Sequence, residues 1–433
     1  MEPREVKRKK KICVVTTNRS DYGRMKPIME AIRKRGDLKL QVVAGTPFFF
    51  DHLFWYMRHG EPLSFWRSLP WHIRARAMAF FGRDAELQNK EQLMRLLVAD
   101  GFPIHARIPM FLEGGNLRVM AKTVGLALLG IPDVFAKLAP DIVLINGDRF
   151  EMLPIAFATV ALNIPLAHIE GGDVSGTIDE SVRHAITKLA HIHFPATKMS
   201  GDRIRAMGED PERIIVTGSP VIDTLAGLDL ALDNSIYSRY YIAGDHIDFT
   251  KPYLLILQHP VTTRYEENRS EMEEVIAAVR DIPIQKIFLD PNIDGGSDGV
   301  SVALRRYREE KPAGTAFGKY FRPHDFYRII SNAAVLVGNS SSFIREAAYL
   351  GVPVVLVGDR QAGRERGENV VEVTSNKEKI ASAIESQIRR GRYPRSNIFG
   401  DGTASEKIVS ALAGMNVDGI SLQKRFFDQN GNN

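Results

Sequence analysis

The sequence predicts an α/β protein built from two doubly wound, parallel-sheet domains facing each other across a cleft. Three observations carry that prediction. Short apolar runs alternate with segments of helix length along the whole chain. The runs are apolar at consecutive residues and do not alternate with polar ones, the pattern of strands covered on both faces by helices. They are also too many for one compact sheet, and 433 residues suffice for two sizeable cores.

In chain order the strand-like runs are "ICVVTT" (12–17), "LQVVAG" (40–45), "DIVLING" (141–147), "IPLAHI" (164–169) and "RIIVTG" (213–218). They continue with "YLLILQ" (253–258), "KIFLD" (286–290), "AVLVGN" (334–339) and "VPVVLVG" (352–358). The polar stretch "RIRAMGEDPER" (203–213) breaks the alternation and is the expected hinge. The expected plan is a first Rossmann-like domain over 11–205 and a second, nucleotide-binding one over 206–403. A last helix within 404–425 is expected to pack back on the first domain. One segment departs from the pattern, an insert over about 47–90. Between Phe48 and Phe81 it holds eleven aromatics, including Trp55, Trp66 and Trp71, interleaved with Arg58, Arg67, Arg74 and Arg76. Three readings stand for it: a self-packed helical hairpin, an oligomer contact, or a membrane-surface contact.

Lysine plus arginine exceed aspartate plus glutamate by 57 − 52 = 5, too small and too scattered an excess to argue for nucleic acid. The single cysteine, Cys13, sits in an apolar run. It excludes an internal disulfide and reads as a core thiol in a reducing compartment. The start "MEPREVKRKKK" has charge without an apolar core, and no stretch is expected to reach the roughly 18 apolar residues of a membrane span. The expected location is the cytoplasm.

The charged residues gather where the strands end. "HIEGGDVSGTIDESVRHAITKLAH" (168–191) places Glu170, Asp173, Asp179 and Glu180 around a glycine turn between a strand and a helix. In an open parallel sheet the carboxyl ends of the strands are where ligands bind. The competing reading is a helix N-terminus that Asp179 caps, with the other acids complementing the helix dipole. "VGNSSSFIRE" (337–346) offers backbone N–H groups and the Ser340, Ser341 and Ser342 hydroxyls to a phosphate, with Glu346 in reach of ribose hydroxyls. It lacks the lysine of a Walker loop. His259 in "QHPVTTRYEEN", Arg19 in "TTNRSDYGRM", and Asp148 with Arg149 in "NGDRFE" also leave strands. Arg19, Asp148, Arg149, Glu170 and Asp179 therefore belong to one side of the cleft. His259, Asn292 and Ser340 to Ser342 belong to the other.

The strings "NRSDYG", "GDRFE", "HIEGGDVSGTIDESVRHAITKLAH", "QHPVTT", "PNIDGGS", "GNSSS" and "GDRQAGRERGENV" closely resemble the hydrolysing UDP-N-acetylglucosamine 2-epimerases of bacterial sialic acid biosynthesis. The resemblance implies a GT-B-like fold. It implies elimination of UDP to a glucal, then hydration with inversion at C2, giving UDP and free N-acetylmannosamine. It implies Asp148, Glu170 and Asp179 as catalytic acids. For the UDP-sugar it implies Arg19, Arg149, His259, Asn292, Ser340, Ser341, Glu346 and Arg360. No metal, nicotinamide or other cofactor is implied. A homodimer or homotetramer is expected. Two departures touch the choice of sugar, which includes 2,4-diacetamido-6-deoxy analogues. "AGTPFFFDH" lacks the family's loop histidine unless His52 replaces it, and Phe343 stands where glycine is usual. The alternatives are a non-hydrolysing epimerase, whose histidine–arginine–glutamate string is absent after His259, and a GT-B glycosyltransferase.

Overall fold

The computed structural model describes residues 8–48, 93–112, 117–292, 294–417 and 419–428. The body of the aromatic insert, with His52 and all three tryptophans, lies outside the described residues. The first sheet contains β1 (Lys10–Thr16), β2 (Leu38–Pro47), β3 (Ala106–Phe111), β4 (Ile142–Asn146), β5 (Leu166–Ile169) and β6 (Ile192–Phe194). Its order is β3-β2-β1-β4-β5-β6, all parallel. The second contains β7 (Ile242–Gly244), β8 (Tyr253–Leu257), β9 (Gln285–Leu289), β10 (Thr315–Gly318), β11 (Val335–Gly338), β12 (Val354–Val357) and β13 (Val370–Val373). Its order is β13-β12-β11-β8-β9-β10-β7, with only β7 antiparallel.

Both orders reverse direction once, between β1 and β4 in the first sheet and between β8 and β11 in the second. Loops on either side of such a reversal diverge and leave a crevice at the strands' carboxyl ends. Each sheet is covered on both faces, as strands buried at every residue require: all five residues of β4 and of β8 are buried.

The run "RIIVTG" is not a strand. It touches β6 through one isolated bridge, His193 to Ile214, because the sheet ends there. Nor does the polar stretch 203–213 cross between domains. Beyond it Ile215 N still donates to His193 O (2.9 Å) and Thr217 N to Pro195 O (3.1 Å). The crossing comes at Gly218–Ser219, beside the return crossing. Gly218 has φ +91°, and a Cβ there would lie 2.9 Å from Gly400 Cα, so the two backbones pass with room only for hydrogens. The returning helix Ala404–Gly414 buries Ile408, Val409 and Leu412 in the first domain's core, against Ile12, Val14 and Ile28. Lys10 Nζ caps its end by donating to Leu412 O (2.7 Å).

A third sequence expectation also changes. The helix Leu117–Leu138 is long and apolar enough to cross a membrane by length and composition, with a mean hydropathy of 1.6 over 18 residues. Here Thr123, Ala127, Ile131 and Phe135 form its buried stripe, at the four-residue spacing of a sheet-covering helix.

Candidate active site

A cavity of about 570 Å³ lies between the two sheets at their carboxyl ends. Of the residues singled out in the sequence, Asp148, Arg149 and Asp179 line it from the first domain. His259, Asn292, Ser340, Ser341, Glu346 and Arg360 line it from the second. Arg19 opens the helix Arg19–Lys34, and its side chain lies outside the described residues. Glu170 is not on the cavity wall. It stands behind Arg24 and Arg345, which are.

The first wall starts from β4. Gly147 takes φ +84°, and its carbonyl is held by His168 Nε2 at 2.8 Å, so the turn presents Asp148 and Arg149 to the cavity. Burial pushes the His168 imidazole down to about 4, so it is a neutral fastener near pH 7. Asp148 accepts from Arg183 Nε at 3.1 Å, with Arg364 Nη2 at 4.0 Å. Burial opposes its ionisation, but Arg183 and Arg364 outweigh burial and hold its pKa well below the usual carboxylate range. Arg149 pairs with Glu151 (2.8 Å) and reaches across to Asp294 (3.2 Å).

The four carboxylates of the glycine turn have four different fates. Glu170 has φ +59°, which turns its side chain away from the cavity to accept from Ser219 Oγ and from Arg345 Nη1 (2.7 Å). Asp173 pairs with Arg364 Nε at 2.8 Å. Glu180 accepts from Ser175 N and closes the turn. Asp179 alone makes no hydrogen bond or ion pair among the described residues. The helix Ile178–Leu189 takes Thr177 as its N-cap, so Asp179 does not serve as the cap. Burial first, and then the charge of Asp148, push Asp179 up to about 6.

The second wall is fastened by Asn339. Its side chain accepts from His259 N (2.7 Å) and donates to His259 O (2.9 Å), locking the loop after β11 to the loop after β8. His259 Nδ1 accepts from Asn292 N (3.1 Å), and burial together with nearby Arg360 holds the ring at about 3, neutral near pH 7. The serines form a short 3-10 turn, Ser341–Phe343, followed by a six-residue helix, Arg345–Leu350. Phe343 is fully buried in the second domain's core. Its ring therefore occupies core volume and leaves the cavity to Ser340, Ser341 and Glu346. Glu346 accepts from Ser342 Oγ (2.9 Å) through one oxygen, while its other oxygen has no hydrogen-bond partner among the described residues. Among the described residues no group of three or more His, Cys, Asp or Glu is placed to hold a metal ion.

Sequence reasoning missed Arg24, Arg183, Arg345 and Arg364, the cations that pair with the acids. It also missed Asn339. All five lie inside quoted motifs, but nothing in the sequence says that the arginines face the carboxylates or that Asn339 fastens a loop.

Comparison with known proteins bears on this site. The family profile described as UDP-N-acetylglucosamine 2-epimerase matches residues 87–413. A UDP-N,N'-diacetylbacillosamine 2-epimerase (hydrolyzing) of Legionella pneumophila is 33% identical over 404 residues, covering 93% of this chain and 95% of the relative. A UDP-N-acetylglucosamine 2-epimerase of Neisseria meningitidis is 28% identical over 425 residues, covering 97% and 100%. Among solved structures, that of UDP-GlcNAc 2-epimerase from Neisseria meningitidis bound to UDP-GlcNAc superposes with a TM-score of 0.70 at 18% identity. It covers 93% of this chain and 99% of that one, a likeness of fold.

Proposed function

The chain belongs to the UDP-N-acetylglucosamine 2-epimerase family, and from that premise we propose that it is a hydrolysing 2-epimerase. It takes UDP-N-acetylglucosamine, or a closely related UDP-2-acetamido sugar, to UDP and free N-acetylmannosamine or the matching analogue, for sialic-type acid biosynthesis. A cytoplasmic setting and a dimer or tetramer belong to the same proposal. The observation that carries the reading is Asp179, a carboxylate without a partner among the described residues, raised to about 6 in a cavity whose opposite wall is the serine loop. A group with a pKa near the working pH is suited both to take a proton and to return one.

In the first step the hydrogen on C2 leaves as a proton, its electron pair forms the C1–C2 double bond, and the C1–oxygen bond breaks to release UDP. In the second step a proton returns to C2 from the opposite face. The oxygen of water bonds to C1, and the water's spare proton is lost. Asp179 and Asp148 are the cavity carboxylates available to the two faces. Arg149, Arg360, Ser340 and Ser341 hold the diphosphate, where charge develops as the bond breaks. Support for hydrolysis over return of a nucleotide-linked sugar comes from the hydrolysing Legionella relative.

Turnover in deuterium oxide and oxygen-18 water tests the reading. One deuterium at C2 and oxygen-18 at C1 of a free sugar are expected. Free product without deuterium at C2 is simple hydrolysis and overturns it, and a deuterated sugar still linked to the nucleotide is the non-hydrolysing reaction.

A further inference from the structure

Glu170 sits where both domains and both crossings meet. Its side chain is 3% exposed and that of Arg345, from the second domain, is 5% exposed; they pair at 2.7 Å. Arg24 of the first domain approaches the same Glu170 oxygen at 3.5 Å. The other oxygen accepts from Ser219 in the first crossing, and Ser219 N donates to Phe399 O before the return crossing (2.7 Å). Arg345 follows the serine turn directly and precedes Glu346, so the segment that faces a nucleotide also carries the guanidinium that holds Glu170. Arg24 and Arg345 both reach the cavity, while Glu170 does not.

We propose that Arg345 is a positioning residue for the reaction. By holding the Glu170 carboxylate, and through it Arg24, it makes the first domain's half of the site depend on how the serine loop of the second is seated. A buried, planar guanidinium hydrogen-bonded through Nη1 to a buried carboxylate transmits a shift of its own backbone to that carboxylate, whereas a flexible exposed pair dissipates it. The proposal rests on the epimerase reading above.

Turnover and UDP affinity are measured on the full chain as wild type, Arg345→Lys, Arg345→Gln, Glu170→Gln and the Arg345→Gln/Glu170→Gln double variant. Arg345→Gln is expected to lower kcat by about 10²-fold, the scale of a misplacement of roughly 1 Å, with KM moving less than about tenfold. Arg345→Lys keeps the charge without the fork and recovers about tenfold of that loss. The double variant is expected to be no slower than the slower single one, because each single change already breaks the same link. A wild-type kcat in Arg345→Gln, or losses that multiply in the double variant, overturns the proposal. Arg345→Gln strands a buried carboxylate. If circular dichroism and melting show that it does not fold, the double variant, which strands no carboxylate and leaves Arg24 without its partner just as Glu170→Gln alone does, is compared with that single variant: equal kcat supports the proposal and a further loss of about 10²-fold overturns it. Wild type that releases no free sugar overturns the epimerase reading instead. The coupling is then judged by UDP calorimetry, where each single variant weakens UDP about fivefold and the double no further. Additive losses overturn it.

Discussion

The two walls of the cleft are the same construction twice, the carboxyl ends of a parallel sheet around its reversal point, yet their charged groups differ: acids and arginines balance on the first, while cations outnumber acids on the second. The first domain brings Asp148 and Asp179 to the cavity, beside Arg24, Arg149 and Arg183, and keeps Glu170 and Asp173 off its wall. The second brings Arg345, Arg360 and Arg364 with a row of hydroxyls. Three of the four acids are answered by arginines from across the cleft: Glu170 by Arg345, Asp173 by Arg364, and Asp148 by Arg364 together with its own domain's Arg183. A carboxylate buried without such a partner tends to take up a proton instead. Pairing therefore sorts the acids. Asp148 and Glu170 have depressed pKa values, because their arginines outweigh burial, and Asp179, which has no ion-pair partner among the described residues, rises to about 6. The charge balance belongs to neither domain alone, and the acid suited to proton transfer is the one that the second wall leaves unpaired.

Removing that acid is the sharpest test of the contrast. Asp179→Asn is expected to lower kcat by about 10²–10⁴-fold, the range of a positioned acid or base, with UDP affinity within about tenfold of wild type. Steady-state kinetics and calorimetry read the two arms. A comparable loss of UDP binding would mean that the walls do not divide the labour. The mirror change, Glu346→Gln, removes a carboxylate whose second oxygen is without a partner. UDP is expected to bind about ten- to hundredfold more weakly, the worth of a hydrogen bond to a charged group, while kcat at saturation changes only a few-fold. A kcat loss as large as that of Asp179→Asn would erase the distinction.

The walls also touch directly, at a smaller cost if disturbed. Gly176 N donates to Arg360 O (3.0 Å), and a Cβ on Gly176 would lie 2.2 Å from Asp359 O. Gly176→Ala must push the domains apart at that point. A loss of about 1–3 kcal/mol, the range for an overpacked contact, is expected in denaturant unfolding. An unchanged midpoint would show that the walls separate freely there.

Much of this was legible because a parallel sheet writes its strands as unbroken apolar runs and its ligand groups just after them. Asp148, Asp179, His259 and Ser340 follow strand ends in the sequence and line the cavity in the structure. What the sequence hides is direction. Glu170 also follows a strand, but a left-handed φ turns it behind the wall, and nothing in "HIEGG" marks a glutamate as the residue that adopts it. The arginines were hidden for a different reason. Arg183 sits within a helix, where arginine ordinarily reads as a solvated face, yet it is 1% exposed against Asp148. Short edge strands escaped as well: β13 contributes "VVEV" with Glu372 exposed, and β7 and β6 have three residues each, too few for periodicity to show. The run "RIIVTG" misled in the opposite sense, since apolar residues beside the last strand need no strand of their own.

The smallest expected effect tests whether the second wall tunes the acid of the first. Asp179 is raised by burial and by Asp148, lowered by Arg360, raised again by Asp294 and lowered by Arg149. Its folded value, about 6, lies above the unfolded carboxylate value of about 3.9. Its contribution to stability is therefore fully present below about pH 3.9 and is lost as pH rises through about 6. Activity follows the other sign, because only the ionised form can accept the C2 proton: kcat/KM should fall on the acid side with an inflection near 6. Asp294→Asn removes a negative charge from the second wall and leaves Arg149 less neutralised, although Glu151 still pairs with it. Both changes make ionisation of Asp179 easier, so the acid inflection should move down by roughly half a unit. The kcat/KM profile of this variant against wild type, at matched ionic strength, reads the shift. An inflection that stays in place, or moves up, would mean that Asp179 is set by its own domain alone and that the two walls meet only sterically.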